Sequence, residues 1–415
     1  MKVIHINTND MNGGAAIATR RIFQEMYDEN INACLWVQQK NTDFISVYSS
    51  KNYLSKIKCF VNEKFERILK KIAVGSDSIH WSSGFSIFNL LKNIENDLND
   101  YDVVHLHWIN NGFLGINDLK IIKKPIVWTL HDSWLFTGGC HIPFCCNKYK
   151  NICFKCPQLK NLCFDMTKHI YKNKLKNLNV NITIVCPSYW LAKKAKESFL
   201  LKKYNIQVIH NGIDINKFKP RDKCFSRSIL GLDKDHKIIL FGAVAATSDK
   251  NKGFKYLFQA IKNLRLENED RENIKIIVFG SSKPQDAPDF GFETYYLGKI
   301  YDEMSLNIIY SAADVVVVPS LLENLPNVIL EAMACGTPCV AFDCGGIPEI
   351  IVHKKTGYLA KSYEIKDLAD GIKFVLEDKQ RWNYLSYASR KKIVRDFNIK
   401  NTVGNYLKLY SKIIN

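Results

Sequence analysis

The chain has no run of about 20 apolar residues, the length a membrane-spanning helix needs, although 47% of its 415 residues are hydrophobic. It also lacks an amino-terminal signal core: Met1-Lys2 leads directly into VIHI, which is too short for one and reads as a first strand. A soluble cytosolic protein is therefore expected. No internal short repeat appears, although both halves share one architecture. No nucleic-acid recognition motif accompanies the positive charge. Acids are scarce in one region, where Lys160 to Lys203 holds ten lysines but only Asp165 and Glu197. No Asp-x-Asp pair ends a strand, so no divalent ion is expected to hold a diphosphate.

The length fits two domains of roughly 200 residues each. Lys and Arg number 58 against 41 Asp and Glu, a formal charge of +17. From Lys51 to Lys71, lysines alternate with Ile57, Phe60, Val61, Phe65, Ile68 and Leu69 at near-helical spacing. This segment reads either as a basic amphipathic helix on an anionic membrane surface or as a solvated helix packed on the core, and both readings stay open.

Strands are expected at VIHIN, ACLWV, DVVHLHW, PIVWTLH and ITIVCP, with a helix over AAIATRRIFQEM. A second set follows at KIILFGA, IKIIVFG, TYYLG, DVVVVP and PCVAF, and the segment from Asp378 to Asn415 reads as helical. Alternation of this kind implies parallel sheets. The expected division is residues 1–205, 206–395 and a terminal helix over 396–415, with the hinge near Lys219-Pro220.

The most informative stretch is SLLENLPNVILEAMACGTPCVAFDC, from Ser320 to Cys344. The buried strand DVVVVP ends in a loop carrying Glu323 and Asn324. Pro326 is expected at the first helical position, the helix runs from Asn327 to Cys335, and Gly336 stops it. Ligands collect at the carboxyl ends of strands in such units, and helix-start N–H groups attract phosphate. Asn324 and Leu325 are thus expected to face a pyrophosphate beside Glu323. Glu331 could accept two hydrogen bonds from a ribose diol. Taken alone, either glutamate reads as an ordinary surface residue.

Together, Glu323, Glu331, Ala332, Met333, Ala334, Gly336 and Pro338 resemble the donor-site signature of the family 4 glycosyltransferases. Across nearly the whole chain, that resemblance implies a GT-B fold: two facing α/β Rossmann-like domains with a central cleft and a carboxyl-terminal helix crossing back to the first. It also implies a retaining, metal-independent hexosyltransferase using a nucleotide-sugar donor. The family usually has Gly-Phe-Gly after the first glutamate, where this chain has Asn324-Leu325-Pro326.

The resemblance assigns further residues. Gly13 and Gly14, after the first strand, match a loop that faces donor pyrophosphate and acceptor. His131, which could simply cap its strand, matches a histidine that contacts the donor sugar, and Asp132 is a weaker candidate. Catalytic roles thus fall to His131 and Glu323, with Gly13, Gly14, Lys252, Asn324, Leu325 and Glu331 binding donor. Lys252-Gly253 matches the family's lysine for the departing diphosphate. The family's arginine is absent, Ala243 standing there, with Lys250 a candidate to replace part of its charge.

Of the 13 cysteines, Cys140, Cys145, Cys146, Cys153 and Cys156 cluster, and their spacing allows four thiolates to reach one zinc. Free thiols are the other reading. The resembled subgroup, bacterial surface-polysaccharide enzymes of the colanic acid, capsule and O-antigen type, carries an insertion here that implies Cys140, Cys146, Cys153 and Cys156 as ligands of a structural zinc. It further implies a glycan or lipid-linked acceptor at the inner membrane face. An epimerase or phosphorylase of the same fold, or a non-catalytic relative favoured by Ala243, is the alternative.

Overall fold

Runs of β-branched residues build two parallel sheets in the chain, whose computed structural model describes residues 1–50, 52–74, 80–160, 164–178, 181–242, 246–267, 273–285 and 287–414. Two compact units result: Met1–Asn211 with Thr402–Asn415, and Gly212–Asn401.

The first unit contains β1 (Lys2–Asn9), β2 (Asn32–Gln39), β3 (Val47–Ser49), β4 (Val103–Leu106), β5 (Ile126–Thr129), β6 (Ile182–Cys186) and β7 (Asn205–Val208). Their spatial order is β3-β2-β1-β4-β5-β6-β7, all pairs parallel. Sequence order reverses at the β1/β4 junction, and at such a switch point the crevice beyond the strand ends is the natural ligand site. Every residue of β4, β5 and β6 is buried, as expected of strands covered on both faces.

The boundary expected at residue 206 is corrected here. Ile206, Gln207 and Val208 pair with Ile184, Val185 and Cys186, so hydrogen bonding keeps them on the first sheet. Short β3 and β7 carry too little apolar pattern to stand out in the sequence. The carboxyl-terminal helix Ile399–Ile414 buries Val403, Tyr406, Leu409 and Tyr410, and Thr402–Asn415 belongs to the first unit.

The second unit contains β8 (Lys237–Gly242), β9 (Ile274–Phe279), β10 (Glu293–Tyr296), β11 (Val315–Val318), β12 (Cys339–Phe342) and β13 (Gly357–Ala360), in the order β10-β9-β8-β11-β12-β13. Its switch point lies between β8 and β11. Val315 and Val317 pack into one apolar cluster and Val316 and Val318 into another, so alternate residues of β11 serve the two faces. Fully burying each such valine contributes about 1.5–3 kcal/mol before entropy is charged.

The helix Tyr53–Ala73 is inverted relative to an ordinary surface helix. Its buried residues include Asn62, which bonds the 87–88 backbone, and Glu66, which accepts from Ser83 N at 2.7 Å. Tyr53, Leu54, Ile57, Phe60, Ile68 and Ile72 are exposed. Among the described residues, no helix is long and apolar enough to cross a membrane.

Candidate functional site

In the second unit the two strands flanking the switch point deliver the expected donor residues. β11 continues through Pro319 and Ser320 to Glu323. Past the end of β8, the turn Lys250–Lys252 is capped by Asp249, whose side chain accepts from Asn251 N, and closed by Gly253 at φ +72°. Asn251 stitches turn and loop together: its amide donates to Leu322 O at 2.9 Å and accepts from Leu322 N at 3.2 Å, while its carbonyl accepts from Leu321 N at 2.8 Å. Gly253 is required twice over, since a Cβ there would lie 1.9 Å from Pro319 O and the left-handed backbone disfavours any side chain.

The result is an ion pair, Lys252 Nζ to Glu323 Oε1 at 2.6 Å. Burial opposes the lysine's charge, but the Glu323 carboxylate and its hydrogen bond outweigh burial and hold the amine above its ordinary range. Gly345, at φ +61°, lets the Glu323 backbone pass where a Cβ would stand 1.8 Å from its carbonyl oxygen. That carbonyl accepts from Gly346 N at 3.0 Å. Lys250 is exposed, and Ala243 lies outside the described residues.

The helix Asn327–Ala334 begins with Pro326 as its flanking cap rather than its first residue, because Pro326 keeps an extended ψ of 122°. Gly336, at φ +76°, ends it, with Thr337 N bonding Ala332 O at 2.9 Å. Two expectations change. Leu325 packs in the core beside Ile329 and Leu330, leaving its backbone as what it could offer a ligand. Glu331 is only 4% exposed and accepts a hydrogen bond from Tyr310 Oη at 2.7 Å, so it is a buried carboxyl with a built partner rather than a surface residue.

In the first unit Gly13 sits after β1 at φ 93°, ψ 162°, flanking the helix Gly14–Asp28, and open space surrounds the position a Cβ would take. His131 lies two residues past β5. Its Nε2 is 3.2 Å from His107 Nδ1, and the two rings stack with centroids 5.4 Å apart. Burial pushes its pKa down to about 4 against the opposing pull of Asp132.

Asp132 proves to be an anchor. Burial disfavours its charge, yet His141 Nδ1 at 2.6 Å, Trp134 N at 2.8 Å and Trp108 Nε1 at 3.0 Å hold its carboxyl below the usual range. Next to it, fully buried Lys174 donates to Trp134 O and to Thr137 O, and burial pulls its amine down to about 7.

His5, His105 and His107 were not singled out from the sequence, although β1/β4 register sets His5 opposite His105 and period-two alternation sets His107 on the same side as His105. One ring nitrogen from each lies within 4.8 Å of those of the other two, the one such group of potential metal ligands among the described residues. Those nitrogens have partners: His105 bonds Thr129 Oγ1 at 2.8 Å and Tyr410 Oη at 2.6 Å, and His5 bonds His107 and Met26.

The cysteine segment crosses the same unit. Cys140 and Cys156 share a hydrogen bond that draws the Cys156 thiol down to about 7 and, with burial, pushes Cys140 up. Burial raises Cys153 to about 11. Cys145 is exposed and Cys146 half-buried.

Residues 222–392 match the family Glycosyl transferases group 1, and residues 62–217 match Glycosyltransferase Family 4. The chain is 28% identical over 322 residues to the uncharacterised glycosyltransferase MJ1607 of Methanocaldococcus jannaschii, covering 75% of each chain. It is 25% identical over 345 residues, 79% of each chain, to an Escherichia coli UDP-Gal:alpha-D-GlcNAc-diphosphoundecaprenol alpha-1,3-galactosyltransferase. The structure of HepE from Anabaena in complex with UDP-glucose superposes with a TM-score of 0.69 at 18% identity, over 99% of this chain and 100% of that one. The chain carries these two glycosyltransferase-family domains, and its fold is GT-B.

Proposed function

We propose that this glycosyltransferase moves a sugar from a nucleotide-sugar donor to a glycan acceptor, lipid-linked, with retention of anomeric configuration, in bacterial surface-polysaccharide synthesis. The observation that carries the donor reading is the Lys252–Glu323 pair on the two segments that leave β8 and β11 at the switch point. A lysine there can neutralise a departing diphosphate without a divalent ion, and Glu323 keeps it protonated. The backbone of Asn324 and Leu325 offers N–H groups to the phosphates, and Glu331, oriented by Tyr310, is assigned to the ribose.

In the first unit, Gly13, with open space around it, leaves room for a ligand beside the helix start at Gly14, both are assigned to the donor, and His131 positions the sugar. The E. coli relative's substrate is named as a diphosphoundecaprenol, which supports a lipid-linked acceptor here. The helix Tyr53–Ala73, with exposed Tyr53, Ile57, Phe60 and Ile68 among lysines, is assigned to an anionic inner-membrane surface and so to a peripheral cytoplasmic enzyme. Cys140, Cys146, Cys153 and Cys156 remain the proposed holders of a structural zinc; Cys140 and Cys156 are in hydrogen-bond contact, which lowers the Cys156 thiol, but the four sulfurs are not gathered into one ligand set in this structure.

Radiolabelled UDP-, GDP- and ADP-sugars incubated with diphosphate-lipid acceptors test the proposal. Label should pass to the acceptor, and Glu331→Ala should abolish nucleotide binding by calorimetry. Isomerised donor or free sugar phosphate as the sole product contradicts it.

A further inference from the structure

The first sheet ends in an open edge that one helix face overlooks. β7 is last in the strand order and pairs with β6 alone, and none of its residues is buried. Ile209 N–H bonds Cys186 O at 3.1 Å, and main-chain direction alternates along a strand, so Gln207 likewise turns its N–H and C=O towards β6. The N–H and C=O groups of Ile206 and Val208 therefore point outward, where they meet no partner among the described residues.

A cavity of about 700 Å³ runs along that edge. Ile206, Gln207 and Val208 all line it, although neighbouring side chains of a strand point to opposite faces, so the cavity follows the strand's edge rather than either face. Its other wall is one stripe of the helix Tyr189–Glu197: Tyr189, Ala192, Lys193 and Lys196 recur at spacings of three and four. This is the space that an eighth strand would fill. Lys193 and Lys196 are exposed, and neither forms an ion pair among the described residues. The only acids between Lys160 and Lys203 are already engaged: Glu197 meets Lys150 at 3.1 Å, and Asp165 caps its own helix by accepting from Lys168 N.

These features select the occupant. A second copy of this chain would bring the same lysines to the contact and be repelled, as lysines beside an open edge generally ensure. A flat anionic membrane cannot reach main-chain groups at the base of a groove, whereas an extended peptide pairs with them directly. We propose that the β7 edge docks an acidic, extended segment of a partner protein, which adds as an eighth strand, pairs its backbone with Ile206 and Val208, and turns alternate carboxylates towards Lys193 and Lys196. The four residues of β7 span about 13 Å, enough to register about four or five partner residues. None of the groove residues belongs to the donor or sugar-positioning set, so the inference goes beyond the transferase reading and stands apart from it.

The test is fluorescence polarisation of the full chain with a fluorescein-labelled octapeptide that alternates glutamate and threonine. Saturable binding is expected, and its absence overturns the proposal. Lys193→Glu combined with Lys196→Glu, shown to be folded by circular dichroism, should weaken binding about tenfold, because two attractive exposed pairs become repulsive. Unchanged affinity in that variant places the peptide elsewhere. A peptide of identical charge that is N-methylated throughout, and so cannot donate as a strand, should bind about fivefold more weakly or worse. Equal binding of the two peptides reduces the site to charge attraction and overturns strand addition. Polygalacturonate oligosaccharides that displace the peptide at a lower concentration of carboxylate would reassign the groove to an anionic glycan, and sedimentation showing self-association that the lysine variant abolishes would reassign it to a second copy.

Discussion

Replacing Lys252 by methionine removes the cation that faces Glu323 at 2.6 Å and keeps most of the side-chain volume. The lysine and glutamate side chains are 24% and 18% exposed. The pair therefore stands between exposed ion pairs, which contribute about 0–1 kcal/mol, and buried ones, where deleting a partner costs about 3–5 kcal/mol. A loss of about 1–2 kcal/mol is expected on that scale, and at about 2–4 °C per kcal/mol for a domain of this size the melting temperature should fall by about 2–8 °C. The pH dependence sharpens the test. The folded lysine is held above its ordinary range, so it binds its proton more tightly folded than unfolded. The stabilisation is therefore complete below an unfolded value of about 10.4 and disappears as pH rises through the folded one. Scanning calorimetry of both proteins should show a constant gap from neutral pH to about pH 9.5 and a narrowing gap beyond about pH 10.4. Equal melting temperatures at neutral pH, or a gap that persists unchanged at the alkaline end, would refute the reasoning.

Gly253→Ala must adopt a left-handed backbone, costing about 1–2 kcal/mol by itself, and must also move Pro319 O away from the new methyl. Urea unfolding should show a loss above about 2 kcal/mol, and wild-type stability would contradict the close approach. Tyr310→Phe leaves a buried Glu331 oxygen without its donor, a loss of about 1–3 kcal/mol by the same measurement, while an unchanged midpoint would show the bond is not made. The buried histidines predict acid sensitivity. With His5 at about 3 and His131 at about 4 in the folded chain, the unfolded state binds more protons as pH falls below about 6.5, so stability declines by up to about 1.4 kcal/mol per pH unit for each histidine down to its folded value. His131→Gln should flatten that decline between about pH 6 and pH 4, and an identical slope would place the acid response elsewhere.

How much of this could be read beforehand depends on whether the information was local. The unit from Asp314 to Cys344 was legible because each step is written in adjacent residues: valines for the strand, Pro326 and Gly336 for the helix ends, Pro338 before the next strand. Burial of Glu331 was not, since its partner Tyr310 comes from a separate helix, Glu303–Ala312. The inverted face of the Tyr53–Ala73 helix was likewise hidden, because Asn62 and Glu66 are buried only by virtue of backbone and serine groups between residues 83 and 88.

The histidine line shows the limit most clearly. His105 lies on β4 and His107 one residue past its end, a two-residue spacing available to inspection, yet nothing local relates them to His5 or His131. Parallel pairing does so: β1 beside β4 brings residue 5 to residue 105, and β4 beside β5 brings 105 opposite 127, so that 107 and 131 meet just beyond the strand ends. A one-residue slip of either strand would turn the imidazoles to the opposite face of the sheet and dissolve the line. The short buried strands Val103–Leu106 and Ile126–Thr129, whose own sequence signals only apolar burial, therefore set the geometry of His131. A register-perturbing change remote from any ligand, such as proline at Val104, whose N–H bonds Pro125 O at 3.1 Å, should separate the stacked rings of His107 and His131 and so change the His131 ring NMR shifts, even in molecules that retain the second unit's nucleotide affinity. Unchanged His131 ring shifts in such a variant would mean that the sheet does not carry the alignment.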